Sequence, residues 1–271
     1  YPPFSIGDRM LRTIVDCSEK LALSLGTKGL INIQYLIYQG ELYVIEVNPR
    51  ASRTVPYISK VTGVPMVDLA TQVSVGRPLR SLGYGTGLYP QPPYVAVKVP
   101  VFSFEKLTDA NAALSPEMKS TGEVLGLGKN MQEALFKGLV SAGYKVESEE
   151  KKGVLISVNR RDQPEILDTA RKLDELGFRL YATDGTAREI ERLGTSVEIV
   201  GKLGRDNRVF QLLEDGRIDY VILTGSTEPE YIRDFIRLNH RCVQLGIPCL
   251  TSLDTAGALA DILESRYNQG N

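Results

Sequence analysis

The feature that most constrains the fold is a pair of apolar segments separated by a two-residue turn. The first segment spans residues 30–38, the second spans residues 41–46, and Gln39-Gly40 separates them. Two segments of this kind around a short turn that contains glycine predict a β-hairpin. An amphipathic helix is expected before it, over about residues 6–25. The chain therefore starts with mixed α/β structure.

Polar side chains recur along these two segments with the period of a strand. Gln34 lies between apolar residues in the first segment, and Glu46 and Asn48 close the second. On an extended strand, Glu46 and Asn48 leave the same face about 7 Å apart along the backbone. Mg²⁺ takes hard oxygen ligands, usually one or two protein carboxylates together with substrate phosphates. Gln34, Glu46 and Asn48 are therefore candidate ligands for Mg²⁺ or Mn²⁺ and for ATP.

Two arginines follow the second segment within a few residues. Arg50 and Arg53 carry planar guanidinium groups, which suit oxyanions. A metal-binding strand followed directly by such arginines indicates phosphoryl transfer, in which both arginines are candidate catalytic residues. The alternative is that Glu46 and Asn48 end an ordinary edge strand and that the arginines are only solvated. The combination of all five polar residues favours the first interpretation.

This arrangement resembles a known family. Gln34, followed by Glu-x-Asn-Pro-Arg at residues 46–50, resembles the last strands of the ATP-grasp fold. The longer string Glu-Val-Asn-Pro-Arg-x-x-Arg-Thr-Val-Pro, with Ser-Lys-x-Thr-Gly-Val-Pro at residues 59–65, resembles the second synthetase half of the carbamoyl phosphate synthetase large subunit. The resemblance implies phosphorylation of carbamate by ATP. It also implies that Arg50 and Arg53 steady the transferring phosphoryl group or the carbamate.

Strands and helices alternate in the second half of the chain. Strands are predicted over residues 154–158, 179–182, 197–200, 220–223 and 248–250, and helices over 164–175 and 231–244. Alternation at this spacing predicts a parallel sheet covered on both faces. A further strand at 94–99 and a helix at 131–141 precede it. The charged segment 147–153 is predicted to be a linker, which places a domain boundary between residues 148 and 149.

A threonine-rich loop follows the second of these strands. In an open parallel sheet, ligands bind beyond the carboxyl ends of the strands. Thr183, Gly185 and Thr186 lie at such an end and open a helix, where hydroxyls and amide groups suit a phosphate. The pattern alone is weak, because either threonine could simply cap the helix.

The wider pattern strengthens the case for a phosphate site. With the segment 155–158 before it and Lys202 after it, this loop resembles the methylglyoxal-synthase-like (MGS-like) domain that ends the same large subunit. In that family the domain binds regulatory nucleotides such as UMP or IMP. Ser157, Thr183, Gly185, Thr186 and Lys202 are the residues implied for the allosteric nucleotide.

The resemblance covers essentially all 271 residues and sets the expected fold class. Residues 1–148 would be the C-terminal part of an ATP-grasp domain with a connector, and residues 149–271 a Rossmann-like, parallel-sheet MGS-like domain. The family implies a glutaminase small subunit as partner, an oligomer, and roles in pyrimidine and arginine synthesis. We expect that the chain alone lacks a complete active site, because it begins within the ATP-grasp domain.

Several positions depart from the best-known form of the family. Gln163 replaces an expected lysine of the phosphate site, and Leu223 replaces an expected asparagine. Val99 and Cys249 replace a glutamate and a tyrosine of the ornithine site. An apolar valine cannot neutralise an ammonium group, so we expect that ornithine does not activate the parent enzyme. The single histidine, His240, is expected at a solvated position, which argues against methylglyoxal synthase activity.

Composition excludes some classes of function. The formal net charge of −1 gives no electrostatic basis for binding nucleic acid or a membrane surface. Cys17, Cys242 and Cys249 show no paired spacing and suit a reducing compartment. Cys249 lies in an apolar run and is expected in the core. Neither a signal peptide nor a membrane-length apolar segment is evident, so we expect a cytoplasmic protein.

Two other functions remain open from the sequence. One is a nucleotide-sensing regulatory module that performs no chemistry and docks on a separate catalytic chain. The other is a different carboxylate-amine ligase of the ATP-grasp type, although such a ligase does not need a regulatory domain. The intact metal-binding strand argues against a regulatory module that performs no chemistry. The second domain argues against a different ATP-grasp ligase.

Overall fold

The computed structural model describes residues 1–3, 5–102, 120–144, 146, 152–201, 207–225 and 229–269. The chain forms two compact units, Tyr1–Ala96 and Val97–Asn271. None of the described helices combines the length and the apolar character needed to cross a membrane.

The first unit consists of helices and one hairpin. Its elements are α1 (Asp8–Ser24), β1 (Asn32–Tyr38), β2 (Glu41–Asn48), α2 (Thr54–Thr62) and α3 (Met66–Ser74). Both central turn residues have positive φ, 51° for Gln39 and 82° for Gly40, which gives the strands their right-handed twist. The predicted hairpin is therefore confirmed, as is the predicted first helix to within two residues. The segment that carries Arg50 and Arg53 is short, because α2 begins directly after Arg53.

The hairpin contains an irregularity that the sequence did not reveal. Gln34 pairs with Glu46, whereas the next residue, Tyr35, pairs with Val44. Ile45 is therefore an extra residue in β2, which is the definition of a β-bulge. The side chain of Ile45 is 61% exposed. The bulge lies directly beside Glu46, and it turns the polar end of the strand relative to the apolar part.

Hydroxyl groups hold the first unit together around its hairpin and its α2 helix. Ser18 Oγ in α1 lies 2.7 Å from the hydroxyl of Tyr35 in β1. The hydroxyl of Tyr57 donates to the carbonyl of Ala96 at 3.0 Å, and that of Tyr94 donates to the carbonyl of Val61 at 2.6 Å. Helix α2 is thereby tied to the last residues of the unit.

The second unit contains a two-stranded sheet, a five-stranded sheet and helices. The elements from residue 95 onward are β3 (Val95–Val101), which crosses the unit boundary, β4 (Gly122–Gly128), α4 (Met131–Ser141), β5 (Gly153–Ser157), α5 (Gln163–Glu175), β6 (Arg179–Thr183), α6 (Asp184–Glu191), β7 (Glu198–Val200), α7 (Arg208–Glu214), β8 (Tyr220–Leu223), α8 (Pro229–Leu245), β9 (Cys249–Leu250) and α9 (Leu253–Gln269).

The five-stranded sheet is parallel throughout, as the sequence predicted. Its order is β7-β6-β5-β8-β9, and Val154 of β5 pairs with Leu180 on one side and with Tyr220 on the other. Alternate residues of β5 enter two different cores. Val154 and Ile156 pack in the core with α5 and α9, whereas Leu155 packs in the core with α7 and α8. Both faces of the sheet are therefore covered.

Helix α4 belongs to the second unit and not to the first. Its Leu139 packs in the same buried cluster as Val154, and so do Val99 from β3 and Val146. The compact units thus divide at residues 96 and 97, whereas the functional boundary was predicted at 148 and 149. Residues 147–151 of the predicted linker lie outside the described residues. The functional boundary stays a prediction, but residues 97–146 pack with the sheet that follows them.

Candidate functional site

Four polar side chains share one face of the β1–β2 hairpin. Gln34 lies directly opposite Glu46 in the antiparallel register, and Asn32 lies directly opposite Asn48. Residues opposite each other project to one face, and so do residues two apart along a strand. The register therefore brings together the three residues that the sequence selected. It adds Asn32, which the Asn-x-Gln alternation of β1 could have revealed.

The end of β2 is organised by a hydrogen bond between two of these side chains. Asn48 Nδ2 donates to Glu46 Oε1 at 2.9 Å. This bond directs the amide nitrogen toward the carboxylate, so Asn48 Oδ1 and Glu46 Oε2 are the oxygens that remain as acceptors. Both are hard oxygen donors, which fit Mg²⁺ or Mn²⁺.

The metal ligands at this face would come from protein and phosphate together. Glu46 is the one carboxylate among the four residues, and magnesium completes such a set with substrate oxygens. In the described part of the chain, no three side chains of the His, Cys, Asp and Glu types group as a metal site. One carboxylate with amide oxygens is a donor set that fits an ion whose remaining ligands are phosphate oxygens.

The two candidate catalytic arginines lie between β2 and α2. The backbone amide of Arg50 donates to the carbonyl of Asn48 at 2.8 Å, so the chain turns sharply after the strand. The guanidinium of Arg50 donates from Nη1 to the carbonyl of Ala51 at 3.0 Å and so contacts its own loop. Arg53 occupies the N-cap position of α2 and is exposed. In this conformation Arg50 is turned toward its own backbone, and its catalytic role stays a prediction.

The second candidate site lies at the carboxyl ends of the parallel strands. The chain order reverses between β5 and β8, which is where ligands bind in open parallel sheets. Ser157 Oγ at the end of β5 lies 3.3 Å from Thr183 Oγ1 at the end of β6. Directly after β8 in the chain, Thr224 Oγ1 accepts a hydrogen bond from the backbone amide of Asn159 at 2.8 Å. Three strand ends thus present hydroxyl groups at one edge.

The side chain of Thr183 does not cap α6, although helix capping was the alternative explanation for this threonine. It occupies the N-cap position of α6 with an extended backbone, φ −67° and ψ 150°, but its side chain makes no capping hydrogen bond. The amide groups of the first helical turn lack partners within the helix, and they favour an anion. Asp184 in that turn forms an ion pair with Arg188 at 3.0 Å, which balances the carboxylate.

Thr186 has an internal function in this conformation. Its side chain is 1% exposed, and its Oγ1 accepts from the amide of Val158 at 3.4 Å. The hydroxyl thus connects α6 to the segment after β5 from inside the unit. Gly185 is exposed, and a Cβ there would come within 3.2 Å of Gln163 Nε2, so the amide of Gln163 covers the loop. Lys202 lies outside the described residues.

Sequence reasoning missed two members of this edge. Asn159 lies two residues after the end of β5 and Thr224 directly follows β8, and Asn159 Nδ2 also donates to the carbonyl of Gly225 at 3.2 Å. A polar residue within two positions of the end of a buried parallel strand was the available signal, because the carboxyl ends of such strands meet.

The positions that argued against an ornithine site border one cavity. Val99 and Cys249 both line a cavity of about 450 Å³ in the second unit. None of the described lining residues carries a carboxylate, and the one charged member, Lys98, forms an ion pair with Glu123 at 3.3 Å. The expected insensitivity to ornithine stays a prediction, but no described acidic group at this cavity opposes it.

The expected position of His240 needs correction. His240 is half-buried in α8 and interacts with a neighbouring group, so it is not simply solvated. Cys249 is half-buried on the edge strand β9, where it packs against the core cluster that contains Cys242 and also borders the cavity.

Two protein-family models match separate parts of the chain. Residues 2–82 match the model described as carbamoyl-phosphate synthase L chain, ATP binding domain. Residues 165–251 match the model of the MGS-like domain. These matches confirm the predicted fold class, an ATP-grasp portion followed by a parallel-sheet MGS-like domain.

Curated relatives match nearly the whole chain. The carbamoyl phosphate synthase large chain of Clostridium perfringens (strain 13 / Type A) is 45% identical over 263 residues, which are 97% of this chain and 25% of that protein. The large chain of Clostridium beijerinckii is 44% identical over 270 residues, 99% of this chain and again 25% of that protein. The chain thus spans about a quarter of the length of these relatives.

Among solved structures, a methylglyoxal synthase from Elizabethkingia anophelis NUHP1 aligns with a TM-score of 0.35 and 24% identity. The alignment covers 41% of this chain and 77% of that chain. A similarity at this level supports no argument about the site.

Proposed function

Because this chain belongs to the carbamoyl phosphate synthase large-chain family and spans about a quarter of such a chain, we propose that it contributes the metal-binding strand of an ATP-dependent carbamoyl phosphate synthase. The reaction that we propose is phosphorylation of carbamate by Mg-ATP or Mn-ATP, in an enzyme that hydrolyses glutamine for ammonia. The observation that supports this proposal most directly is the hairpin register, in which Gln34 lies opposite Glu46 while Asn48 donates a hydrogen bond to the Glu46 carboxylate.

Each residue has a defined role in this proposal. Glu46, Asn48 and Gln34 would hold the divalent ions and the ATP phosphates, and Asn32 would support Asn48 across the hairpin. The ions, when bound, neutralise charge on the transferring phosphoryl group. Arg53 and Arg50 would orient the phosphoryl group or the carbamate, which requires Arg50 to leave the carbonyl of Ala51. Phosphoryl transfer depends mainly on such positioning and charge neutralisation.

The test of the catalytic proposal is Glu46→Gln in the intact parent enzyme. We expect the synthesis of ATP from carbamoyl phosphate and ADP to fall by about a hundredfold or more, the usual cost of removing one electrostatic group from a transferring centre. Glu41→Gln changes an exposed carboxylate at the other end of β2 and serves as the matched control. Retention of this partial reaction by Glu46→Gln would reject the catalytic proposal and favour a non-catalytic module.

We also propose that the MGS-like domain regulates the enzyme by binding a nucleotide such as UMP or IMP. Ser157, Thr183 and the first turn of α6 would contact its phosphate, with Lys202 supplying positive charge. The support is the 3.3 Å approach of Ser157 to Thr183, whose hydroxyl makes no capping bond.

Calorimetric titration of the 271-residue chain with UMP and IMP tests the regulatory proposal. We expect Thr183→Ala and Lys202→Ala each to weaken binding by about tenfold, which corresponds to about 1.4 kcal/mol. Ser196→Ala and Lys152→Ala are matched controls at exposed positions, and Lys152 lies at the opposite end of β5. If neither nucleotide binds, the domain is not a UMP or IMP sensor.

The parent enzyme sets the remaining expectations. We expect a glutaminase small subunit as partner, an oligomeric assembly, and a cytoplasmic enzyme that supplies carbamoyl phosphate for pyrimidine and arginine synthesis.

A further inference from the structure

The cavity of the second unit has a wall that contains two thiols. The cavity measures about 450 Å³ and lies among β3, the end of α4, the second half of α8, and β9. Cys242 of α8 and Cys249 of β9 both line it. A volume of this size admits a small organic molecule. The half-buried Cys249 is therefore within reach of a reagent that enters the cavity, whereas Cys242 is fully buried in the wall.

The turn between α8 and β9 brings the two thiols together. The amide of Ile247 donates to the carbonyl of Cys242 at 2.9 Å, and Gly246 supplies a left-handed backbone with φ 63°. The chain thus reverses within a few residues, so that Cys242 and Cys249 line the same cavity and Cys249 packs against the buried cluster that contains Cys242. The pairing therefore depends on this turn. A separation of seven positions along the sequence does not by itself indicate it.

The two thiols differ in exposure and in proton affinity. Cys242 is 0% exposed, whereas Cys249 is half-buried. The hydrogen bond to Cys249, and then burial, raise the pKa of the Cys242 thiol far above its ordinary value. Cys242 therefore remains protonated and donates to the sulfur of Cys249. Tyr144, on the same cavity wall, also stays neutral, because burial raises the pKa of its phenol.

These differences separate two chemical roles. A thiol that borders an open space and accepts a hydrogen bond is the one that an incoming reagent meets first. A buried neighbour that keeps its proton is a poor first nucleophile, since the thiolate is the reactive form. It is nevertheless positioned to attack a sulfur bonded to Cys249. The described lining of the cavity has no acidic side chain to repel an anionic thiol reagent.

We propose that Cys249 is a site of reversible thiol modification by small disulfides of the glutathione disulfide class, and that Cys242 is its resolving thiol. In the first step the Cys249 thiol loses its proton, its sulfur attacks one sulfur of the reagent, and one glutathione thiolate leaves and is protonated. In the second step Cys242 loses its proton and attacks the Cys249 sulfur, which releases the second glutathione. The protein is oxidised by two electrons, and the reagent is reduced to two thiols.

The second step is the slow one because it requires deprotonation of the buried Cys242. The mixed disulfide at Cys249 therefore accumulates before the internal disulfide forms. The finished bond ties the end of α8 to β9 covalently and closes part of the cavity wall. Reduction by excess thiol reverses both steps.

The test uses the reduced 271-residue chain, treated with glutathione disulfide and sampled over time. Remaining thiols are trapped by alkylation in acid, and the peptides are mapped without reduction. Cys242 and Cys249 lie in one tryptic peptide, since no Lys or Arg occurs between Arg241 and Arg266. We expect this peptide first to carry glutathione on Cys249 and then to lose it while becoming resistant to alkylation. The unpaired Cys17 of α1 is the internal control.

Two variants separate the roles of the thiols. Cys242→Ala should retain glutathione on Cys249 throughout the reaction, whereas Cys249→Ser should leave Cys242 at least about tenfold less reactive than Cys249 is in the unmodified chain. Circular dichroism of both variants verifies their folding. If Cys242→Ala does not fold, the order of the two products in the unmodified chain decides the question.

Two results would overturn the proposal. The first is that Cys249 stays free while Cys17 is modified. The second is that the mixed disulfide at Cys249 persists equally in the unmodified chain and in Cys242→Ala.

Discussion

At the scale of single residues, Gln163 occupies the position that most directly controls the proposed phosphate site. It begins α5, and its Nε2 lies so close to Gly185 that a Cβ on that glycine would come within 3.2 Å of it. A neutral amide donates a hydrogen bond to a phosphate but does not balance its charge. In the proposed site, the affinity for an anion would therefore depend on the helix amides and hydroxyls, together with Lys202.

Gln163→Lys is expected to strengthen nucleotide binding. A primary ammonium placed over the α6 amino terminus adds a charge-assisted contact, so the affinity for a nucleoside monophosphate should rise by about tenfold at low salt. Calorimetric titration measures the change, and its loss with added salt identifies an electrostatic origin. Gln211→Lys, at an exposed site of α7, makes the same charge change elsewhere. An equal gain in both variants would contradict a local effect.

Glu133 provides a second prediction at this scale, one that concerns pH. A hydrogen bond from Lys137, followed by one from the backbone amide of Lys129, lowers the pKa of the Glu133 carboxyl. A carboxyl whose pKa is lower in the folded state stabilises that state above the unfolded pKa. This stabilisation is lost as the pH falls through the folded pKa.

Glu133→Gln should therefore reduce stability at pH 7 and have little effect once the pH lies below the lowered folded-state pKa, where the carboxyl is protonated in both states. Urea unfolding at several pH values measures this difference. Glu191→Gln, at another exposed helical position, is the control and should show no such pH-dependent loss. A pH-independent effect of Glu133→Gln would contradict the role assigned to its charge.

At the scale of secondary-structure elements, β4 packs closely against α4. Gly126 of β4 faces the helix backbone, where a Cβ would overlap the carbonyl oxygen of Ala134 and lie 2.6 Å from the amide nitrogen of Gly138. Gly138 in turn faces Val99 of β3. Helix and strand can approach this closely only because these positions lack side chains, so their glycines are required by sterics.

Gly126→Ala is expected to destabilise the chain by about 1–3 kcal/mol or more, the usual cost of overpacking. The atoms it would meet belong to the backbone and cannot rotate away. Gly122→Ala, in the same strand, has nothing within 4 Å of its Cβ position and should be close to neutral. Urea unfolding compares the two variants. Equal stabilities would show that the strand and the helix adjust without cost.

The sequence predicted the helices and strands of this chain better than it predicted the irregularities within and between them. The turn at Gln39-Gly40 was predictable because two residues that include a glycine separate two apolar segments, although glutamine itself rarely adopts the positive φ seen at Gln39. The bulge at Ile45 was not, since Val44 and Ile45 are both apolar and leave no mark on the pattern. Helix α2 was missed because Thr54, Val55 and Pro56 favour other structure, although proline is tolerated in a first helical turn.

The candidate sites show the same division between local and tertiary information. The convergence of Gln34 and Glu46 followed from strand periodicity, and the loop at Thr183 followed from its place after a strand. The burial of Thr186 and the pairing of Cys242 with Cys249 depend on contacts between separate elements. The spacing of residues along the sequence does not predict such contacts.

At the scale of the whole molecule, the chain is two compact units whose division falls within β3. The second unit includes residues that the sequence assigned to the first domain. Val99, Leu139 and Val146 are buried in the same cluster as Ile156 of the central strand. The MGS-like sheet therefore has part of its core supplied from outside its predicted boundary.

A chain of residues 97–271 should consequently be more stable than one of residues 149–271. The shorter chain loses α4 and exposes apolar surface on the sheet and α9, which costs about 25 cal/mol for each Å². Thermal unfolding and the binding of a hydrophobic dye compare the two. The full chain is the reference for both. Equal midpoints would show that the core of the sheet does not depend on residues 97–146.

The strand order of the parallel sheet also affects how the protein is made. Val154 pairs with Leu180 soon after it is synthesised, but its other neighbour, Tyr220, arrives much later. While the ribosome makes the intervening residues, one edge of β5 has no partner strand. The apolar side chains of β5 are then not yet covered by the helices that follow later in the chain. The nascent chain therefore passes through an interval in which the strand on which the completed sheet is centred has an open edge that is exposed to non-native pairing.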